Sequence, residues 1–223
     1  MSARRKSPAR RSPPPSFSHE DAARSAGYAL VAGTDEAGRG CLAGPVVAAA
    51  VLLPPRTRIR GVRDSKLLVR SERERLAARI ETRALSTGYG ICTVEEIDHL
   101  NILRASLEAM RRALVQLDPE PDFVLIDGNQ SIHPLPFPQQ TVIDGDALCH
   151  AIATASVLAK VRRDDMMRRL HEEYPGYGFA DHKGYATRQH VAAIESLGPA
   201  ACHRRSFRLP GFSDDQPGFF SDA

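Results

Sequence analysis

The segment YALVAGTDEAGRGCLAGPVVAAAVLL, residues 28–53, contains two apolar runs separated by a polar turn rich in glycine. The first run, Tyr28 to Thr34, and the second run, Pro45 to Leu53, both have the composition of β-strands. Because the second run is almost entirely apolar, we expect it to be buried on both faces of a sheet. The segment therefore predicts two early strands, with Asp35 and Glu36 at the end of the first.

Farther along the chain, capping boxes and apolar periodicity predict helices that alternate with short strands. The capping boxes at residues 71–74 and 93–96 open a helix to about residue 80 and a long helix toward residue 117. Further elements follow from the same patterns: strands at 88–93, 122–128 and 141–143, and helices at 147–173 and 187–197. Early strands followed by alternating helices indicate an α/β layer architecture.

The composition is that of one globular domain with a sizeable core. The chain has 223 residues, of which 42% are hydrophobic and 26% are charged. Its longest apolar run, Cys41 to Leu53, is interrupted by Pro45 and is too short to span a bilayer, so we expect no membrane association. The four cysteines have no CxxC spacing, which favours reduced thiols and a cytoplasmic protein. A monomer is expected.

Charge is distributed unevenly along the chain. The formal net charge is +3, yet residues 1–19 hold five basic residues and no acid. Residues 1–26 are therefore interpreted as a disordered basic arm that adds contacts to phosphate groups. Residues 27–209 form the predicted folded domain, and residues 210–223 form a polar C-terminal tail.

Acidic residues at the ends of predicted elements are the main chemical signal. Asp35 and Glu36 follow the first strand, Asp127 closes the strand at residues 122–128, and Asp146 precedes the long helix. A buried carboxylate is costly unless it is paired or binds a metal. Clustered oxygen ligands suit Mg²⁺ or Mn²⁺, and a pair of such ions serves in-line attack on phosphodiesters.

Turn formation is the competing interpretation of these acids, since aspartate and glycine are common in turns. Asp144 illustrates this, because it stands two residues before Asp146. In a strand, Asp35 and Glu36 would point to opposite faces, so both could bind one metal only if the strand ends or twists there. The residues alone leave a metal site and a set of turn residues equally open.

Six motifs, in the same order, resemble those of the ribonuclease HII family. They are TDEAGRGCLAGPVVAAAV at 34–51, DSKLL at 64–68, VLIDGN at 124–129, GD with IATASVLAKVRRD within 145–164, YGFADHKGYAT at 177–187 and HRRSF at 203–207. The resemblance implies a ribonuclease-H-like α/β fold, in which helices flank a mixed β-sheet and the C-terminal part is helical. The resemblance also implies that the folded domain, residues 27–209, is a catalytic domain.

The resemblance also implies an activity. Members of this family hydrolyse the RNA strand of RNA–DNA hybrid duplexes and nick ribonucleotide-containing DNA 5′ to the ribonucleotide, leaving 3′-hydroxyl and 5′-phosphate ends. The family's four metal-binding carboxylates match Asp35, Glu36, Asp127 and Asp146. Two Mg²⁺ or Mn²⁺ ions held there would bind the scissile phosphate and lower the pKa of the attacking water.

Substrate contacts carry over from the motifs in the same way. Gly38, Arg39 and Gly40 resemble the GRG motif that senses the ribose 2′-hydroxyl, and Tyr185 matches the tyrosine that packs on the sugar at the RNA–DNA junction. Candidates for phosphate contacts are His182, Lys183, Lys66, Lys160, Arg204 and Arg205. The alternative for each is a solvated or ion-paired charge. Asp164 is interpreted as a partner of neighbouring arginines rather than a metal ligand.

Three other functions compete with this one. Ribonuclease HIII shares the fold and the ions, but it usually carries an extra N-terminal domain, for which the 34 residues before Asp35 are too few. A catalytically silent hybrid-binding module would not need a set of mutually repelling carboxylates. A resolvase or transposase relative would not need to sense a 2′-hydroxyl.

The C-terminal tail suggests a protein partner. The segment Gln216 to Phe220 resembles the short peptides that bind replication sliding clamps, although it lacks their usual leucine. The alternative is that Phe219 and Phe220 pack into an apolar groove of the same protein.

Overall fold

A five-stranded mixed sheet forms the centre of the computed structural model, which describes residues 13–62 and 68–208. The strands are β1 (Val31–Ala37), β2 (Val46–Leu52), β3 (Ser86–Cys92), β4 (Phe123–Asp127) and β5 (Gln139–Val142), in the order β3-β2-β1-β4-β5. β1, β2 and β3 pair antiparallel, whereas β4 pairs parallel with both β1 and β5. The mixed sheet confirms the predicted α/β class.

Helices cover both faces of this sheet. They are α1 (Ser18–Ser25), α2 (Arg70–Arg83), α3 (Val94–Leu100), α4 (Ile102–Leu114), α5 (Gly145–Leu148), α6 (His150–Glu173), α7 (Phe179–His182) and α8 (Arg188–Leu197). α4 packs on β2 and β3, and α6 packs on β1 and β2. Among the described residues, no helix is both long and apolar enough to cross a bilayer.

β2 is buried on both faces, as its composition predicts. Val46, Ala48 and Leu52 belong to the core under α4, whereas Ala49 and Val51 belong to the core under α2 and α6. On the neighbouring strand, a side chain at Gly33 would overlap the backbone of Ala151 in α6. Small residues on α6 thus allow this helix to lie directly against β1.

The N-terminal arm was predicted to extend to residue 26, and this boundary is wrong. Residues 18–25 form α1, which packs on the first turn of α6. Glu20 is only 2% exposed, and its carboxylate accepts a hydrogen bond from the Ala151 N–H at 2.7 Å. The Arg58 guanidinium lies over the Phe17 ring at 4.6 Å. Residues 1–12 and the tail at 209–223 lie outside the described residues.

Two helices predicted as continuous are interrupted. Asn101, at φ +67°, separates α3 from α4 and caps α4 by accepting hydrogen bonds from the next turn. Cys149 adopts an extended conformation between α5 and α6. The capping box at Thr93 is confirmed, but the one expected at Ser71 is wrong, because α2 begins one residue earlier without a side-chain cap.

Candidate active site

Three carboxylates meet at one edge of the sheet. The parallel pairing of β1 with β4 places Thr34 beside Ile126, so the next residues along, Asp35 and Asp127, are neighbours on adjacent strands. Ligand atoms of Asp35, Glu36 and Asp127 lie within 4.8 Å of one another. β1 continues to pair with β2 as far as Ala37. The strand therefore does not end at Asp35, yet both neighbouring acids reach the same cluster.

Burial and mutual repulsion disfavour the ionised form of this cluster. Asp35 is only 5% exposed, and burial raises its pKa well above the usual range, with a further rise from the charges of Glu36 and Asp127. Burial also raises the pKa of Glu36, against the lowering effect of the Arg39 guanidinium. Ionisation of these acids would place their negative charges close together where solvent has little access.

A divalent cation fits the donors of this cluster. The Glu36 side chain is 6% exposed, and its Oε2 atom is buried without a hydrogen-bond partner among the described residues. Asp35 Oδ1 accepts the Glu36 N–H at 2.7 Å, which holds its carboxylate in place. Carboxylate oxygens are the ligands that Mg²⁺ and Mn²⁺ prefer, and a cation would remove the repulsion between them.

Asp146 lies beside this cluster without belonging to it. Its backbone N–H donates to Asp127 Oδ1 at 3.3 Å, at the start of α5. Its carboxylate is not among the three whose oxygens converge within 4.8 Å. The preceding Asp144 is exposed in a left-handed turn, as expected of a residue that only shapes the turn.

The loop after β1 places a glycine and an arginine next to the acids. Gly38 has φ +102°, and a side chain there would overlap the buried Arg163 guanidinium. Nothing lies within 4 Å of the Cβ position of Gly40, which leaves this backbone approachable. The Arg39 side chain is 50% exposed and contacts Glu36 Oε1 at 3.2 Å.

The segment after α7 brings Tyr185 to the same loop. Tyr185 forms an isolated antiparallel bridge with Cys41, one residue after the Gly38–Gly40 loop. Its side chain is exposed. The structure thus places an exposed aromatic side chain beside the turn that follows the acidic cluster.

Other predicted phosphate contacts have different environments. His182 is buried, and both ring nitrogens bond to the backbone, so its expected substrate contact is wrong. The Lys183 ammonium donates to the Ala180 carbonyl, and burial lowers the pKa of Lys183. Lys66 lies outside the described residues.

Asp164 is an ion-pair partner, as predicted, although its partners are an arginine of α2 and a lysine rather than the arginines adjacent to it in sequence. Its carboxylate contacts Lys160 at 2.6 Å and Arg73 at 3.3 Å. Lys160, a predicted phosphate contact, is therefore ion-paired within the protein. Arg205 is exposed, and its backbone N–H donates to Asp98.

Two buried arginines form a scaffold that sequence reasoning missed. Arg204, considered a phosphate contact, is 1% exposed and donates to the carbonyls of Gly38, Arg39 and Gly44, so that expectation is wrong. Arg163 donates to carbonyls of the same loop and of the segment that precedes Tyr185. Arg163 stands four residues from the apolar Ala159 and Met167, and this helical spacing is the sequence signal for its burial.

Comparison with known proteins agrees with this geometry. Residues 32–209 match the family model described as ribonuclease HII. Ribonuclease HII of Salinibacter ruber is 50% identical over 196 residues, which cover 86% of this chain and 98% of that protein. Ribonuclease H2 from Pyrococcus horikoshii superposes with a TM-score of 0.68 at 26% identity, covering 81% of this chain and 94% of that one.

A second solved structure resembles this chain about as closely as the Pyrococcus horikoshii structure does. It is the PCNA:RNase HII complex from Archaeoglobus fulgidus, which matches with a TM-score of 0.65 at 27% identity over 83% of this chain and 98% of that one. The family model and the similarity to relatives extend over nearly the whole described domain. The chain therefore belongs to the ribonuclease HII family and is an endonuclease that hydrolyses the RNA strand of RNA–DNA hybrids.

Proposed function

We propose that Asp35, Glu36, Asp127 and Asp146 form the hydrolytic centre of this endonuclease. The convergence of three carboxylates beside an exposed arginine and an exposed tyrosine is the observation that carries the proposal. The backbone contact from Asp146 to Asp127 supports the fourth ligand, since it keeps residue 146 next to the cluster.

Two Mg²⁺ or Mn²⁺ ions, when bound, would supply a water of lowered pKa and neutralise charge on the leaving 3′-oxygen. The chain's own residues prepare the site for them. Burial of Asp35 and Glu36 limits competition from solvent, and the hydrogen bond from the Glu36 N–H orients the Asp35 carboxylate. The Arg39 contact with Glu36 holds that side chain at the edge of the cluster.

Recognition of the ribonucleotide is assigned to the loop Gly38–Gly40 and to Tyr185. Gly40 has open space at its Cβ position, which suits close approach of a sugar to the backbone. A guanidinium has five N–H donors, more than the Glu36 contact of Arg39 uses. The exposed Tyr185 ring can pack on the sugar, and the 2′-hydroxyl distinguishes RNA from DNA. Nicking of DNA 5′ to an embedded ribonucleotide is the cleavage that membership of the ribonuclease HII family implies for such a site.

The cell compartment and a protein partner are also proposals. All four cysteines are described, free and buried, which supports a reducing cytoplasm. The solved complex of an archaeal ribonuclease HII with PCNA supports a sliding clamp as partner, and Gln216–Phe220 is the segment proposed to bind it. Titration of a clamp against the wild type and a Phe219→Ala/Phe220→Ala variant tests this proposal, and equal affinity of the two proteins would contradict it. We propose a monomer, which sedimentation can check.

Cleavage of a duplex with one ribonucleotide tests the proposed function. We expect a nick 5′ to the ribonucleotide, with 3′-hydroxyl and 5′-phosphate ends, that requires Mg²⁺ or Mn²⁺ and does not occur in the all-DNA duplex. Binding without cleavage would support the silent module instead, and cleavage of the all-DNA duplex would support a resolvase-like activity.

Asp144 and Asp146 offer a matched pair of variants within one turn. Asp146→Asn is expected to reduce cleavage strongly, whereas Asp144→Asn should behave as the wild type, because asparagine tolerates the left-handed conformation of residue 144. Similar rates for the two variants would remove Asp146 from the proposed centre.

A further inference from the structure

Three histidines form a buried cluster beneath the Tyr185 segment. His182, His190 and His203 are 9%, 0% and 2% exposed. The His190 ring stacks on His182 with centroids 4.5 Å apart and lies 5.2 Å from His203. His190 and His203 have no place in the proposed cleavage chemistry, so their burial requires another explanation.

The hydrogen bonds fix the proton on each ring. A carbonyl oxygen can only accept, so His190 Nδ1, 3.0 Å from the Tyr185 carbonyl, carries a proton and donates to it, and the Nε2 atom of neutral His190 accepts. Neutral His203 then carries its proton on Nε2, which lies 3.1 Å from His190 Nε2 and must donate to it. His203 Nδ1 is then unprotonated and accepts from the Ala200 N–H at 2.9 Å, although the Ala200 carbonyl oxygen lies 3.1 Å from the same nitrogen.

These bonds form one directed chain from the C-terminal segment to the exposed tyrosine. The proton positions in His190 and His203 depend on each other, and both follow from the Tyr185 carbonyl, which can only accept. His182 anchors the other side, because its carbonyl accepts from the Tyr185 N–H at 3.0 Å. The Tyr185 backbone therefore has a histidine contact on each side, and its carbonyl also accepts from the Thr187 N–H at 2.8 Å, while the residue remains 44% exposed.

We propose that His190, oriented by His203, is a positioning residue that sets the direction of the Tyr185 side chain toward the ribonucleotide. The inference rests on the proposed role of Tyr185. For an exposed ring, the backbone fixes where the Cα–Cβ bond points, and the hydrogen bond to its carbonyl is part of that constraint. A displacement of about 1 Å in a substrate-positioning group can reduce a rate about 100-fold.

Two conservative variants separate positioning from simple packing. In His190→Asn the side-chain amide occupies the place of Nδ1 and can still donate to the Tyr185 carbonyl. In His190→Gln it reaches the place of Nε2, toward His203, and the bond to Tyr185 is lost. Both variants keep a buried polar side chain, so similar losses of melting temperature are expected.

The experiment measures kcat/KM per folded molecule at a single ribonucleotide, with each His190 variant in the wild-type and Tyr185→Ala backgrounds. We expect His190→Gln to lose about tenfold to 100-fold, and His190→Asn to retain most of the activity. In the Tyr185→Ala background the difference between the two should disappear. His150→Gln is the control, since His150 is 1% exposed and bonds to the Ile59 N–H, away from this segment.

Each other outcome has a distinct meaning. Equal activity of the two His190 variants, or a difference that persists in the Tyr185→Ala background, would overturn the positioning role. A Tyr185→Ala enzyme as active as the wild type would overturn both that role and the proposed contact of Tyr185. Failure of the wild type to cleave at a single ribonucleotide would contradict the proposed function itself.

Discussion

Asp35, Glu36 and Asp127, on the adjacent strands β1 and β4, have carboxylate oxygens within 4.8 Å of one another. Burial and mutual repulsion raise the pKa of Asp35, so this cluster destabilises the protein when the acids are ionised and no cation is bound. A ligand that binds only the folded state stabilises it by mass action. Removing one carboxylate should therefore stabilise the metal-free protein and reduce the stabilisation that a bound cation provides.

The variant Asp35→Asn tests this at the level of one residue. Without metal its melting temperature should equal or exceed that of the wild type, because a repelling charge is gone. The rise in melting temperature on adding Mg²⁺ should be smaller in the variant, and its cleavage rate should fall by on the order of 100-fold or more. An equal Mg²⁺-dependent rise in both proteins would contradict the assignment of Asp35 as a ligand.

Gly38 and Gly40 provide a second test at this scale, since they flank Arg39 in different environments. Gly38→Ala should lower the free energy of unfolding by about 1–3 kcal/mol, because φ is +102° and the new methyl group meets Arg163. Gly40→Ala should fold as the wild type does, with nothing within 4 Å of its Cβ, yet discriminate less well for a ribonucleotide. Chemical denaturation measures the stabilities and cleavage assays measure the discrimination. Equal stabilities of the Gly38→Ala and Gly40→Ala proteins would contradict the expected strain at residue 38.

At the scale of elements, the sequence predicts where the strands lie along the chain better than it predicts which strands pair. The apolar runs identify β1, β2 and β4, and the acids Asp35, Glu36 and Asp127 that follow two of these runs are found by simple inspection. The proximity of Asp35 to Asp127 depends on a parallel pairing across 92 positions of sequence, which local patterns do not specify. The burial of Arg204 has the same origin, because its acceptors are carbonyls of the distant loop after β1.

α1 was missed for a comparable reason. Its charged sequence indicates a solvated arm, but Glu20 is buried because its carboxylate accepts the Ala151 N–H at the start of α6. The break between α3 and α4 was also hidden, since the apolar spacing continues across Asn101. Tertiary hydrogen bonds therefore decide both features.

The docking of α1 predicts the effect of changing Glu20. Glu20→Ala should lower the free energy of unfolding by about 1–3 kcal/mol, because the buried Ala151 N–H loses its acceptor. Glu20→Gln is the matched control, since it keeps a carbonyl acceptor. Denaturant titration measures the effect, while kcat per folded molecule should remain unchanged in both. A Glu20→Ala protein as stable as the wild type would mean that α1 contributes little to the fold.

At the scale of the whole molecule, two buried histidines, His150 at the start of α6 and His190 in α8, should make stability depend on pH. Burial lowers the pKa of His150 and of His190 from 6.5 to about 4. The unfolded chain therefore binds more protons than the folded one between these values, so stability falls as the pH falls from 6.5 to 4. For each histidine the loss of stability is on the order of 3 kcal/mol, absent above pH 6.5 and complete below pH 4.

Comparing the wild type with His150→Gln isolates one of these contributions. Glutamine can still accept the Ile59 N–H but does not titrate. The stability of the wild type relative to the variant should be constant above pH 6.5 and should decrease toward pH 4. Urea unfolding at a series of pH values measures this difference, and a difference independent of pH would show that His150 titrates alike in both states.

Anomalous diffraction from crystals soaked in Mn²⁺ tests the central claim most directly, namely that the acids converging on the ends of β1 and β4 hold the divalent ions. We predict an anomalous peak at about 2.0–2.3 Å from carboxylate oxygens of Asp35, Glu36 and Asp127, with a second ion beside it near Asp146. Peaks located elsewhere, or an empty cluster in crystals of an enzyme that Mn²⁺ activates, would contradict the account.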